Sequence, residues 1–380
     1  MATKPISDEL LQVSLDAFHR NGKNTTFAAR ELGIPRNTLD SRLKTARARG
    51  MMQSVDSNIP TGHILKGKST LYDHEGNERL TWVKTNLDAE AAKKALLVLS
   101  ESLCKKLPSV DRIKPPKKFD ENLMMVIPFG DPHIGLYCSR EEVGESFNLD
   151  IATKDLCGAF DYLISSGVPT GHCVILNLGD FFHASNYEGM TKRSKHVLDM
   201  AGRFPEIIDA GVQALRFCVE RAAEKHGTVS LVNSIGNHDD EMAVCLSIMF
   251  RNIYRDNPRI KVYEAAKTRH YIQHGKVLIG VTHGHQTKDQ ALPLLMASEK
   301  SKEWGETKHR YFYRGHHHHQ ELMEYNGCVV EQFRTLAPSD SYAHSHGYLS
   351  GRDMKSIIHH SEYGEVSRTV CSVDMLRKIS

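Results

Sequence analysis

No two of the eight cysteines are spaced as Cys-x-x-Cys. That excludes a zinc site built on paired thiolates and favours reduced thiols in a cytosol. No uncharged apolar run is long enough to cross a bilayer, and the opening MATKPISDELLQ lacks a signal-peptide pattern. A cytoplasmic setting without a membrane is therefore expected. The net charge is only +3, too little by itself to imply a nucleic-acid partner. With 40% hydrophobic and 25% charged residues the composition is that of an ordinary globular protein. The length of 380 residues suggests two or three domains.

What charge there is lies unevenly. Ile34–Gly50 carries Arg36, Arg42, Lys44, Arg47 and Arg49 against Asp40 alone. Lys105–Lys118 is similarly basic. Clusters of this kind suit phosphate backbones better than the whole-chain sum does.

The first fifty residues read as three helices. Ser7 caps the first, whose stripe is Leu10, Val13, Ala17 with Leu11, Leu15, Phe18; Asn21-Gly22 ends it. TTFAARELG forms the second, and Pro35 starts the third, with Leu39, Leu43 and Ala46 inward. Ala29, Gly33 and Leu39 have helix-turn-helix spacing: a small residue at the crossing, a left-handed turn and a core plug. The third helix would then be the recognition helix, with Arg36, Asn37 and Arg42 as candidate base or phosphate readers and Lys44 and Arg47 as further DNA-binding candidates. A plain three-helix protein-contact module is the alternative. Residues 51–122 hold two strand-like runs flanking Glu75-Gly76-Asn77, a helix over Asp88–Leu107 and a Pro- and Lys-rich linker.

From residue 123 to 380 apolar strand-like runs alternate with helical stretches, which predicts an α/β layered domain, a sandwich flanked by helices. These runs end in polar residues of one kind. VIPFGDPHIG brings Asp131 and His133; VILNLGDFFH brings Asp180 and His183. LVNSIGNHDD brings Asn237, His238 and Asp239; VLIGVTHGHQ brings His283 and His285; RYFYRG leads into His316–His319. Groups at the carboxyl ends of strands converge in such folds. The four consecutive histidines lie far from either terminus, unlike a purification tag.

The blocks Asp131-Pro132-His133, Gly179-Asp180-x-x-His183, Gly236-Asn237-His238-Asp239, His283 and Gly315-His316-x-His318, in that order, resemble the calcineurin-like metallophosphoesterases. The resemblance covers about the last two-thirds of the chain and implies that family's β-sandwich. It implies two divalent ions, Mn²⁺ first, with Fe or Zn²⁺ as alternatives for this mixed donor set. Asp180 would bridge them, Asp131, His133 and His318 completing one and Asn237, His283 and His316 the other. His316 and His318 alternate, as residues leaving a strand on one face would. Ions about 3.5–4 Å apart clamp a phosphodiester and lower the pKa of a bridging water. His238 would be the general acid, with Asp239 orienting its ring.

GDFFHASN lacks the Arg that Ser/Thr phosphatases carry after this Asp. It is closer to Mre11-like nucleases, in which a His at the position of His183 engages DNA ends. The order of segments also resembles phage proteins that join a helix-turn-helix to a metallophosphoesterase, whose setting would be the bacterial host cytoplasm. The reading is a DNA nuclease. A cyclic-nucleotide or other small-molecule phosphodiesterase with a regulatory module is one alternative; a non-enzymatic DNA-binding protein with a structural metal is another. Oligomerisation is left open.

Overall fold

The computed structural model describes residues 6–21, 24–48, 63–73, 78–87, 113–190, 197–264, 267–339, 347 and 349–379. It divides into two compact units, Met1–Ala92 and Lys93–Ser380. The expected helix over 88–107 and the linker up to residue 112 lie outside the described residues, as does the turn at 75–77.

The first unit contains helices α1 (Asp8–Arg20), α2 (Thr25–Glu31) and α3 (Arg36–Ala48). Asn24 caps α2, its Oδ1 accepting the amides of Thr26 at 3.0 Å and Phe27 at 3.2 Å, a contribution of about 1 kcal/mol. Gly33 ends α2 at φ +63°. The amides of Gly33 and Ile34 reach back to the carbonyls of Arg30 and Ala29, which satisfies the last turn and sets the exit direction. Leu11, Leu15, Ala28, Ala29, Leu39 and Leu43 form the buried centre. The stripe on α1 is narrower than the sequence suggested, because three short helices cover only a limited arc. Leu10 and Val13 are 40% and 48% exposed, while Ser14 is buried with its hydroxyl donating to the Leu10 carbonyl at 2.8 Å. Strands β1 (His63–Tyr72) and β2 (Glu78–Leu87) pair antiparallel.

The second unit has the expected architecture, two sheets flanked by helices. β3 (Asp120–Phe129), β4 (Thr170–Asn177), β5 (Thr228–Asn233) and β6 (Ile260–Val262) run parallel. β12 (Asp353–His360) and β13 (Gly364–Ser372) extend that sheet antiparallel beyond β3. The connections between the parallel strands carry α4 (Leu149–Ser166), α5 (Phe204–Lys225) and α6 (Asp240–Ile253). The second sheet runs in the order β10 (Glu321–Tyr325), β11 (Cys328–Gln332), β9 (His309–Arg314), β8 (Val277–Val281), β7 (His270–His274).

Successive residues of a strand point to opposite faces. Met124 and Val126 of β3, with Val174 and Leu176 of β4, pack on Ile279, Val281 and Tyr313 of the other sheet. Their neighbours Met125, Ile127 and Phe129 pack instead on Phe160, Leu215 and Phe250 of the helices. Burial on both faces explains the unbroken apolar runs. Each such side chain contributes about 1.5–3 kcal/mol, which fixes where the strands end and hence where the loops converge.

Candidate metal centre

The site lies where β3, β4, β5, β8 and β9 finish. Asp131 and His133 follow β3; Asp180 and His183 follow β4; Asn237, His238 and Asp239 follow β5; His283 follows β8; His316 and His318 follow β9. Backbone hydrogen bonds lock these loops together. The His133 amide donates to the Asp180 carbonyl at 3.0 Å, Ile134 to Phe181 at 2.8 Å and Gly315 to His283 at 3.0 Å. The His316 amide donates to Asp131 Oδ2 at 2.6 Å, joining one sheet's loop to the other's.

Asp131, His133, Asp180, His316 and His318 have φ of 44°, 46°, 49°, 81° and 58°, and among the described residues they are the non-glycines with positive φ. Each such backbone costs on the order of 1–3 kcal/mol and persists only where its surroundings impose it. All five belong to the expected ligand set. His316 and His318 lie beyond the end of β9, so left-handed backbone, and not strand alternation, aims them. Two glycines preceding ligands are needed for space: a Cβ at Gly236 would collide with Asp180 Oδ1, and one at Gly315 would lie 2.6 Å from Asp131 Oδ1.

Two halves can be distinguished. In one, His133 Nε2 faces His318 Nε2 at 3.1 Å, and Asp131 Oδ2 lies 3.5 Å from the same nitrogen. In the other, His283 Nε2 lies 3.0 Å from Asn237 Oδ1 and 3.2 Å from Asp180 Oδ2. One donor atom each from Asp180, His283 and His316 falls within 4.8 Å of the others, and the same holds for His133, His183 and His238. The donors fit divalent cations. Asp131 is fully buried, yet its Oδ1 accepts no hydrogen bond, with His283 Nδ1 3.3 Å away. A bare buried oxygen costs about 1–3 kcal/mol, more when charged.

The charges agree. Burial alone would raise the Asp180 carboxyl, but His283, His238 and His133 hold it well below the ordinary range. Burial alone would lower His283, but Asp180 and Asp131 hold it well above. The acids therefore draw positive charge to themselves, and at His283 a bound cation would have to displace a proton. Burial, reinforced by neighbouring imidazoles, keeps His133 well below its ordinary value and both His183 and His316 at about 3. Those rings are neutral, the form that binds metal.

Around the ligands, His238 is half-buried. Its Nδ1 lies 3.0 Å from the His183 carbonyl, and its ring stacks on that of His183 at 5.5 Å. Asp239 does something other than orient that ring. Its carboxylate accepts the backbone N–H groups of Asp180, Phe181, Phe182 and Gly236 at 2.8–3.3 Å. Burial and then the nearby Asp180 push its carboxyl up to about 7. His285 sits beside His283, ring centres 5.2 Å apart. His317 and His319 are exposed and stack on each other. An open cleft of about 500 Å³ adjoins His316, lined by Gln286, Lys288, Tyr325 and Arg314 among others. Arg314 is held by Asp289 at 2.6 Å. The sequence reading missed this cleft, although the polar run QTKD after His285 was its one visible trace.

The candidate DNA-contacting residues lie on α3 of the other unit. Arg36, Asn37 and Lys44 are exposed, Arg42 is half-buried, and Arg36 lies 3.8 Å from Asp40. Arg47 is on the same helix.

No family model and no curated protein matches the chain. Solved structures that it resembles include an archaeal phosphodiesterase at 13% identity and TM-score 0.33, covering 66% of this chain and 99% of that one. The phosphoesterase Yfce of E. coli is similar at 11% identity and TM-score 0.30, covering 65% and 98%. Vps29 of Entamoeba histolytica, complexed with Zn²⁺, is similar at 12% identity and TM-score 0.27, covering 66% and 98%. Likeness at this level carries no argument about function, which rests on the site itself.

Proposed function

We propose that the chain is a metal-dependent phosphodiesterase of the calcineurin-like type and that its substrate is DNA. The observation that carries the reading is a pair of adjoining donor groups, Asp180 with His283 and His316, and His133 with His183 and His238, tied by the His238 amide donating to Asp180 Oδ1 at 2.7 Å. Asp131, His133, Asp180 and His318 would hold one ion; Asp180, Asn237, His283 and His316 would hold the other. The ions, Mn²⁺ foremost, supply charge to neutralise a phosphodiester and a water of lowered pKa. The chain's own residues do the rest. Asp239 fixes the loop that presents Asp180. His238 donates its Nδ1–H to the His183 carbonyl, which turns Nε2 to the leaving oxygen; as general acid the ring would carry a second proton on Nε2 and pass that one to the oxygen.

Two features favour a diester over a monoester and DNA over a small molecule. The loop after Asp180 has no Arg to clamp a terminal phosphate. The first unit offers the exposed basic residues Arg36 and Lys44 on one helix, next to a turn of helix-turn-helix spacing at Gly33. That unit would tether the chain to phosphate backbones.

The test is incubation of the full chain with Mn²⁺ and single-stranded DNA, duplex DNA, RNA or bis-p-nitrophenyl phosphate. Cleavage of DNA together with the aryl diester is the expected result. Turnover of the aryl diester alone would replace DNA by a small diester. No turnover of any substrate would remove the enzymatic reading.

A further inference from the structure

The ligand assignment uses His183 in neither half, although its ring groups with those of His133 and His238. His183 is buried at 2% exposure, and its two polar ends touch two different working histidines. Its Nδ1 lies 3.2 Å from His133 Nδ1. Its backbone carbonyl lies 3.0 Å from His238 Nδ1.

A neutral imidazole carries one N–H and one lone pair. His133 therefore has two wirings. In the first, Nδ1–H donates to His183 and the Nε2 lone pair faces His318. In the second, His183 donates to His133 Nδ1, and Nε2 carries the proton and cannot bind a cation. Geometry favours the first. Two nitrogens about 2.0–2.1 Å from one ion lie roughly 2.9–3.4 Å apart at bond angles of 90–109°. His133 Nε2 and His318 Nε2 are 3.1 Å apart, and Asp131 Oδ2 lies 3.5 Å from the latter. These donors converge, so Nε2 is the ligating atom and the proton belongs on Nδ1. An acceptor must then face Nδ1, and the structure provides the ring of His183.

We propose that His183 is a positioning residue that selects the metal-binding tautomer of His133 by accepting a hydrogen bond from its Nδ1–H. This rests on the metal-centre reading. It gives His183 a role in holding one particular ion, that of Asp131, His133 and His318, and none in holding the other. Groups that accept the second N–H of a ligating histidine typically change metal affinity by about 10–100-fold.

The experiment is equilibrium dialysis of the full chain against Mn²⁺, comparing wild type with His183→Leu and His183→Asn. Leu fills space without an acceptor. Asn places Oδ1 close to where Nδ1 stood. Wild type should bind two ions. His183→Leu should keep one ion at wild-type affinity and bind the second about 10–100-fold more weakly, and His183→Asn should recover most of that affinity. In Zn²⁺-loaded protein with ¹⁵N-labelled histidine, the Nδ1–H signal of His133 should persist in His183→Asn and vanish in His183→Leu. Equal affinity for both ions in His183→Leu would overturn the proposal. So would His183→Asn binding as weakly as His183→Leu, since the ring's bulk and not its lone pair would then be at work. A wild-type chain that binds no ion would overturn the metal-centre reading instead.

Discussion

The Asp239 carboxylate accepts the Asp180 amide at 3.1 Å, so one buried acid holds in place the loop that presents another. Asp180 sits at φ 49°, a conformation its own sequence does not favour. The amides of Phe181, Phe182 and Gly236 converge on the same carboxylate. Asp239→Ala would bare all of these donors, at about 1–3 kcal/mol for each one left unsatisfied. Its denaturation midpoint should fall clearly, and Asp239→Asn, which keeps one acceptor, should fall less. Equal midpoints for wild type and Asp239→Ala would show that the loop holds itself.

His238→Ala should separate chemistry from binding. The side chain groups with His133 and His183 but is assigned to proton donation and not to an ion, so ion content measured by elemental analysis should stay at the wild-type level. Turnover of a diester with a poor leaving group should fall by roughly 10²–10⁴. With a good leaving group the effect should shrink. An equal fall for both would rule out proton donation.

Buried histidines outside the ligand set give stability a pH dependence of their own. His226 is fully buried, its Nδ1 accepting the Thr170 amide at 3.1 Å. Burial, then Lys225 and Arg221, push its pKa down to about 3. His359 is lowered similarly to about 3 and His172 and His270 to about 4, burial leading in each. Between those values and the ordinary pKa of about 6.5 the unfolded chain binds protons that the folded chain refuses. The contribution of these four groups is therefore full above about pH 6.5 and is lost as pH falls through their lowered values, by about 1.4 kcal/mol per pH unit for each group. His226→Gln should flatten that slope by about one proton in denaturant titrations across the range. An unchanged slope would mean that His226 is charged in the native state.

Deleting residues 1–50 should weaken DNA binding and flatten its salt dependence. For every phosphate that the shortened protein no longer neutralises, the slope of log K against log salt should fall by roughly 0.9. The ligands begin at Asp131, in the other compact unit, so the aryl diester should still be hydrolysed. Identical affinity and slope in both proteins would leave the basic helix as a solvated face.

The convergence of the candidate ligands was legible because strand ends place them at one edge. Asp131, His133, Asp180, Asn237, His283, His316 and His318 all arrive at one edge of the sandwich. The apolar runs showed the two-sheet class because both faces of β3 and β4 are buried. What stayed hidden depends on neighbours distant in sequence. Asp239 looked like a partner for its neighbour His238, yet it serves amides on a loop that follows another strand. His316 and His318 looked like strand residues, and only the closed loop shows their left-handed backbone. Leu10 and Val13 fitted a helical stripe, but how much of α1 its neighbours cover cannot be read from its own period.

An Asp180 shared by two ions in a working phosphodiesterase centre should cost both an ion and turnover when its charge is removed. The most direct measurement is elemental analysis of Mn²⁺-loaded Asp180→Asn beside wild type, with bis-p-nitrophenyl phosphate hydrolysis on the same samples. Loss of at least one ion and a fall in turnover of about 10²–10³-fold or more, the scale set by losing a preorganised charge, is the predicted result. Retention of both ions with full turnover would contradict it.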